Sequence, residues 1–181
     1  MTRLADDHSK ISYYVQSRIT ALAVLIDNAR NSDSNQGLAE GAGRAIFSAV
    51  DDDVAVAAAR LLAASLGLSF QAVDIGKLYS DYCDEVENHL EQSLTAAQDG
   101  QALLYFHHLD QSFGHDPARV TGRERHVQLD VDYFLKTLAR FEVPVILHTR
   151  AYHRLDQSIL RLFSCVIDMH DGVPAARQQV S

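Results

Sequence analysis

The segment Ala102-Leu-Leu-Tyr-Phe106 is a continuous run of apolar residues, and His107, His108, Leu109 and Asp110 follow it directly. On either side of it, further short apolar runs alternate with longer segments of helical spacing. This alternation is typical of parallel strands joined by crossover helices. The predicted strands span residues 45–48, 70–73, 102–106, 145–149 and 165–169, and the helices between them span residues 53–66, 84–98, 127–141 and 156–162.

The pattern predicts an α/β fold built on a five-stranded parallel sheet. Right-handed crossover connections place helices on both faces of such a sheet. The binding crevice of an open parallel sheet lies at the carboxyl ends of its strands. The residues that directly follow each strand are therefore the candidates for a functional site.

An additional helix is predicted before the first strand. Its apolar positions recur at steps of three and four over about 20 residues, at Ile11, Val15, Ile19, Leu22, Ile26 and Ala29. We predict three parts: an N-terminal helix and linker at residues 1–43, the α/β domain at 44–170 and a C-terminal tail at 171–181.

Composition excludes several classes of function. The chain has 181 residues, of which 47% are hydrophobic, and a formal net charge of -8. This charge offers no general attraction to nucleic-acid backbones or anionic lipid, so we expect no nucleic-acid or membrane partner. No apolar run approaches the roughly 20 residues that cross a bilayer, and we expect a cytoplasmic protein.

Several segments, taken in order, resemble parts of the AAA+ ATPases. Leu103-Leu-Tyr-Phe106 before His-His-Leu-Asp110 resembles the Walker B strand, in which four apolar residues precede Asp-Glu. Val143-Pro-Val-Ile-Leu-His-Thr-Arg150 resembles the sensor-1 strand, which in the family ends in Thr-Asn. The segment 155–163 resembles the stretch with the arginine finger, at Arg161, and the segment 73–87 resembles the second strand and pore loop, with Tyr82 at the substrate-gripping aromatic.

This resemblance covers about residues 43–169 and implies the three-layer sandwich of the P-loop NTPases. It is nearest to the AAA+ proteins of bacterial contractile-injection and phage-like systems, which include degenerate copies. The family normally continues into a helical lid, and because the chain ends at Ser181 we expect no lid domain.

The resemblance fails where the chemistry of ATP would lie. A phosphate loop needs G-x-x-x-x-G-K-[ST], in which glycines admit the phosphates, Lys neutralises them and a hydroxyl binds Mg²⁺. The corresponding segment 49–56 begins at Ala49, contains Asp51, Asp52 and Asp53, and has Ala55 and Val56 where Lys and the hydroxyl belong. We interpret the three carboxylates as a helix cap, with a divalent-cation site as the alternative. Each carboxylate at about 5 Å would repel each phosphate charge by about 3 kcal/mol at an effective dielectric near 20.

The remaining catalytic positions are also replaced. His107 and His108 stand at the Walker B Asp and Glu, and Arg150 stands at the sensor-1 Asn. Neutral imidazole is a poor ligand for the hard Mg²⁺ ion. We therefore expect neither ATP nor Mg²⁺ to bind in the usual way.

The histidines allow two interpretations. His107, His108 and His148 end or follow strands that the resemblance makes neighbours, and with Asp110 they could form a Zn²⁺ or Ni²⁺ site. Alternatively, one imidazole points into the crevice, one into the core, and His148 bonds a backbone group. Asp74 is interpreted as a helix cap.

Two functions follow from the resemblance. The first is a degenerate AAA+ pseudo-ATPase that does not hydrolyse ATP and acts as an oligomeric interaction or assembly module, through self-association or beside an active AAA+ ring. Tyr82 and Arg161 are then the interface candidates. The alternative is a nucleotide-binding or weakly hydrolytic ATPase with non-standard residues and a metal at His107 and His108.

Overall fold

The chain folds around one parallel sheet in the computed structural model, which describes residues 11–31, 43–81, 86–108, 131–163 and 165–170. Its strands are β1 (Arg44–Ser48), β2 (Ser69–Asp74), β3 (Ala102–His107), β4 (Val145–Thr149) and β5 (Cys165–Asp168). The helices are α1 (Tyr13–Asn31), α2 (Asp52–Ser65), α3 (Ile75–Asp81), α4 (Val86–Asp99), α5 (Val131–Ala139) and α6 (Gln157–Leu162), with a 3₁₀ turn at Tyr152–Arg154.

The strand order is β2-β3-β4-β1-β5, and every pairing is parallel. The predicted α/β fold is therefore confirmed, including β1 as an interior strand next to β4, with β3 beyond it. All five residues of β1 and of β4 are buried. Strands covered by helices on both faces need continuous apolar runs, which is why these segments were visible in the sequence.

Two apolar layers cover the sheet. On one face, α2 packs with its alanines against β1, β3 and β4, and α1 joins the same layer through Val15, Ile19 and Ile26. On the other face, α3, α4, α5 and α6 surround Leu104, Phe106 and Leu147. The predicted additional helix is thus present, although it starts at Tyr13 and ends at Asn31.

The ends of α2 follow from its sequence. Asp51 accepts a hydrogen bond from Asp53 N at 2.9 Å and caps the first turn. At the other end, Gly67 has φ 66°, and Leu68 N donates to Ala63 O at 2.9 Å, as in a Schellman motif. Glycine reaches this conformation without the steric cost that a side chain would bring.

One helix was not predicted. Residues 75–81 form α3, because Asp74 accepts a hydrogen bond from Lys77 N at 3.1 Å and Ile75 and Leu78 are buried against the core. A helix of this length has too few apolar positions for its period to stand out. Helix α5 ends two residues before the predicted boundary, since Arg140 N and Phe141 N bond carbonyls three residues back in a tight final turn.

No helix among the described residues is both long and apolar enough to span a bilayer.

Candidate functional site at the carboxyl ends of the strands

The corner between β1 and α2 is short. Strand β1 ends at Ser48 and α2 begins at Asp52, so three residues, 49 to 51, form the whole connection. Asp51 caps the helix, and Asp52 and Asp53 occupy its first turn. Carboxylates are stabilised there by the positive end of the helix dipole, and the predicted cap is confirmed.

Ala55 and Val56, which the sequence placed at the Lys and hydroxyl positions of a phosphate loop, lie inside helix α2. Helix α2 begins before these residues, and Ala55 N already bonds Asp51 O within the first turn. Ala55 is fully buried in the layer that covers the sheet, and Val56 is half-buried against the same layer. Neither residue faces the crevice as a phosphate-binding Lys or a Mg²⁺-binding hydroxyl would.

Three side chains from the ends of β3 and β4 lie around the carboxylate of Asp52. Arg150 Nη2, just after β4, lies 3.3 Å from its Oδ2. His108 Nε2, just after β3, lies 3.8 Å from Oδ2, and His148 Nε2 lies 4.0 Å from Oδ1. The sequence predicted each of these residues as a site candidate. It did not predict that all three lie near one carboxylate.

His148 is held by the backbone of the same corner. Its imidazole is 2% exposed, and Nε2 lies 3.2 Å from Ala49 O. Because a carbonyl oxygen can only accept, Nε2 donates in this bond. The interpretation of His148 as the partner of a backbone group is therefore confirmed. Ala49 N in turn donates to Thr149 O at 3.1 Å, which continues the pairing of β1 with β4.

A second cluster lies at the ends of β2 and β3. Asp74 and His107 are partners in the parallel register, and His108 Nδ1 lies 3.0 Å from Asp74 Oδ2. Asp74, His107 and His108 each offer one ligand atom, and these atoms all lie within 4.8 Å of one another. This group shares His107 and His108 with the predicted ligand set, adds Asp74 and does not include His148. Asp110, like Tyr82, lies outside the described residues.

His108 has φ 62°. Left-handed backbone is uncommon for a residue with a side chain and costs on the order of 1–3 kcal/mol. In an extended strand, His107 and His108 would point to opposite faces. The left-handed turn instead brings the two rings to a centroid distance of 4.4 Å.

The charge states of the cluster follow from its contacts. Burial alone would raise the pKa of Asp74, but hydrogen bonds from His108 and Lys77 N, with the charges of both imidazoles, lower it below its usual value. Burial lowers the pKa of His107, against the opposing effect of Asp74. At neutral pH, Asp74 is therefore an anion and His107 a neutral imidazole.

Tyr105 is a site residue that sequence reasoning missed. Its ring is fully buried and lies 5.9 Å from the His107 ring and 6.0 Å from the His148 ring, nearly parallel to both. Its hydroxyl has no hydrogen-bond partner among the residues that the structure describes. Burial and then the Asp52 carboxylate raise the pKa of Tyr105, so the hydroxyl stays neutral. The only sign of Tyr105 in the sequence was its hydroxyl, a polar group within the otherwise apolar run of β3.

Arg161 lies apart from this crevice. It is exposed near the end of α6 and makes no ion pair with another described residue.

Comparison with known proteins agrees with this architecture. The fold is similar to the crystal structure of the FIGL-1 AAA domain, with a TM-score of 0.59 and 16% sequence identity over 83% of this chain and 50% of that chain. At this identity the likeness shows the fold alone, and the chain spans about half of that structure. No curated protein matches the chain by sequence. The sequence model of the ATPase family associated with various cellular activities (AAA) matches residues 57–170, which is 114 of the 181 residues. The chain therefore belongs to the AAA family.

Proposed function

We propose that this chain is a member of the AAA family that does not hydrolyse ATP and that acts by association with other protein subunits. The observation that carries the proposal is the corner between β1 and α2. Three residues form the connection, Asp51 caps the helix, and Arg150 pairs with Asp52 in the first turn. The positive end of the helix dipole is thereby occupied by the chain's own carboxylates.

The residues at this corner do not fit a nucleotide with Mg²⁺. A phosphate loop wraps the phosphates with several backbone N–H groups between its two glycines, and a three-residue connection lacks that length. Three carboxylates, those of Asp51, Asp52 and Asp53, lie at this corner together with the guanidinium of Arg150. The net charge of these four groups is about -2, which repels phosphates. The family match begins at Ala57, after this corner.

Association is supported by the outer face of α1. Four large apolar side chains there are exposed, namely Tyr13 at 87%, Tyr14 at 50%, Val24 at 55% and Leu25 at 63%. At about 100° per residue they lie within an arc of roughly 120°, opposite the buried stripe of the helix. Single exposed apolar residues are common, but several on one helix face are typical of an interaction surface.

Nucleotide is expected to leave the thermal stability unchanged. Millimolar ATP or ADP with Mg²⁺ should not move Tm relative to Mg²⁺ alone, because the folded state offers no site with preferential affinity. Differential scanning fluorimetry on chelator-treated protein measures this.

A ligand at 100 times its Kd would add about 2.7 kcal/mol, or about 5–11 °C in Tm for a domain of this size. A rise of that order would support the weakly hydrolytic alternative. Arg150→Ala serves as the control variant, since loss of the rise in this variant would place the nucleotide at the β1–α2 corner.

Self-association through α1 is the second expected result. The 20.1 kDa chain should sediment as a larger species as its concentration rises, and Leu25→Asp should shift it toward monomer because a carboxylate resists burial in an apolar interface. With a net charge of -8, copies repel each other, so association should strengthen with added salt. Sedimentation velocity at low and high salt measures both effects.

Gln92→Asp is the matched control, because it adds the same charge at an exposed position of α4. Arg161→Ala tests the second candidate surface. A strict monomer at all concentrations, with all variants alike, would refute the association.

A further inference from the structure

The cluster of Asp74, His107 and His108 lies where β2 and β3 end. These strands end at residues 74 and 107, which are 33 residues apart in the chain. Register partners on neighbouring parallel strands project to the same face of the sheet, so the pairing of Asp74 with His107 brings a carboxylate beside an imidazole. His108 joins them only because its backbone is left-handed.

We propose that Asp74, His107 and His108 bind a first-row transition metal and that Zn²⁺ is the preferred ion. One coordination position is left open to water. Two imidazoles and a carboxylate form a ligand set that Zn²⁺ accepts, and three protein ligands with an open fourth position are typical of accessible zinc centres. Mg²⁺ and Ca²⁺ prefer oxygen ligands throughout and are disfavoured here.

The distances agree with this assignment. Tetrahedral Zn²⁺ with bonds of about 2.0–2.1 Å separates its ligand atoms by about 3.3 Å. Asp74 Oδ2 and His108 Nδ1 are 3.0 Å apart, and the largest separation in the cluster is within 4.8 Å. A displacement of about 1–2 Å of the His107 ring, reached by rotation of its side chain, therefore completes the set of three ligands. The metal would replace the hydrogen bond between Asp74 Oδ2 and His108 Nδ1, and the imidazole proton would then be carried by Nε2.

Asp52 lies within ion-pair distance of His108 but beyond hydrogen-bond distance, and a shift of about 1 Å on metal binding would make it a positioning residue for this site. Its Oδ2 lies 3.8 Å from His108 Nε2, the nitrogen opposite the one that faces Asp74, and Arg150 holds the same carboxylate. Metal-bound imidazoles commonly donate their second N–H to a carboxylate, which fixes the ring and strengthens it as a ligand.

The experiment is a Zn²⁺ titration of chelator-treated protein by isothermal calorimetry, with Co²⁺ absorption spectra to report coordination. We expect one Zn²⁺ per chain at this site and the intense visible bands of tetrahedral Co²⁺. Asp74→Asn and His107→Gln should each weaken binding by more than about 100-fold, beyond the 10–100-fold that loss of an outer partner costs. Asp52→Asn should weaken it by about 10-fold.

Controls separate this site from other histidines and from misfolding. The chain has nine histidines, and His153→Ala at an exposed position should leave binding unchanged. His108→Gly removes the ligand but suits a left-handed backbone, so its loss of binding cannot follow from strain.

Failure of the wild type to bind Zn²⁺, or full retention of binding in His107→Gln or His108→Gly, would overturn the proposal. Equal loss in His153→Ala would also overturn it. In that case the cluster is an imidazole–carboxylate pair without a metal. The measurement is independent of ATP, so it fails or succeeds separately from the proposed lack of hydrolysis.

Discussion

Ala55→Lys is expected to destabilise the folded protein by about 3–5 kcal/mol, because an uncompensated charge would enter a buried layer. Ala55 is 0% exposed and packs among the apolar residues between α2 and the sheet. The lysine must either lose its proton in the core or distort the first turns of α2 to reach water. Urea denaturation followed by circular dichroism measures the loss.

Ala64→Lys is the matched control for this prediction. It makes the same substitution in the same helix at an exposed position near the carboxyl end, where a cation is favourable. We expect its stability to remain within about 0.5 kcal/mol of the wild type. If both variants were equally stable, Ala55 would not be buried beneath α2 as described.

This prediction also bears on the restoration of nucleotide binding. Substituting Asp53→Gly, Val54→Gly, Ala55→Lys and Val56→Thr would give the Gly-Lys-Thr end of a phosphate loop but leave Ala49 at its first glycine, and the four changed positions lie within α2. The glycines would weaken the first turn of the helix by about 1 kcal/mol each. Additional residues between β1 and α2 are needed before a lysine can face a phosphate.

Phe134→Ala is expected to cost about 3–5 kcal/mol, the usual range for truncating a buried aromatic residue. The ring of Phe134 meets the ring of Phe106 edge to face at a centroid distance of 5.6 Å, and both residues are 0% exposed. This contact joins α5 to β3, so its loss leaves a cavity in one of the two apolar layers. A decrease of about 6–20 °C in Tm should accompany the change.

The control for Phe134→Ala is Val50→Ala, which truncates an apolar side chain that is 67% exposed and lies outside the α1 surface. Its effect should stay within about 0.5 kcal/mol. Chemical denaturation with an unchanged m-value would confirm that the difference lies in the native state. Similar stability of the two variants would show that α5 does not pack on the sheet as described.

Only part of the candidate site could be predicted from the sequence. The three carboxylates of the β1–α2 corner, the two imidazoles after β3 and Arg150 after β4 were all identified, because strand ends are visible as the ends of apolar runs. Asp74 was interpreted only as a cap. It does cap α3, but one of its oxygens also faces His108, and a dual role of this kind requires knowledge of the strand register.

The sequence by itself determined the AAA fold, because continuous apolar runs and helical periods reflect burial on both faces of a parallel sheet and need no knowledge of distant contacts. It also shows that the pattern G-x-x-x-x-G-K-[ST] is absent from segment 49–56. Only the tertiary structure decided where α2 begins, that Ala55 is buried, and that Asp74, His107 and His108 lie together. These outcomes depend on the register of β2 against β3, on the length of a three-residue connection and on the left-handed backbone of His108. Such features arise from packing among residues far apart in the chain, which local periodicity cannot report.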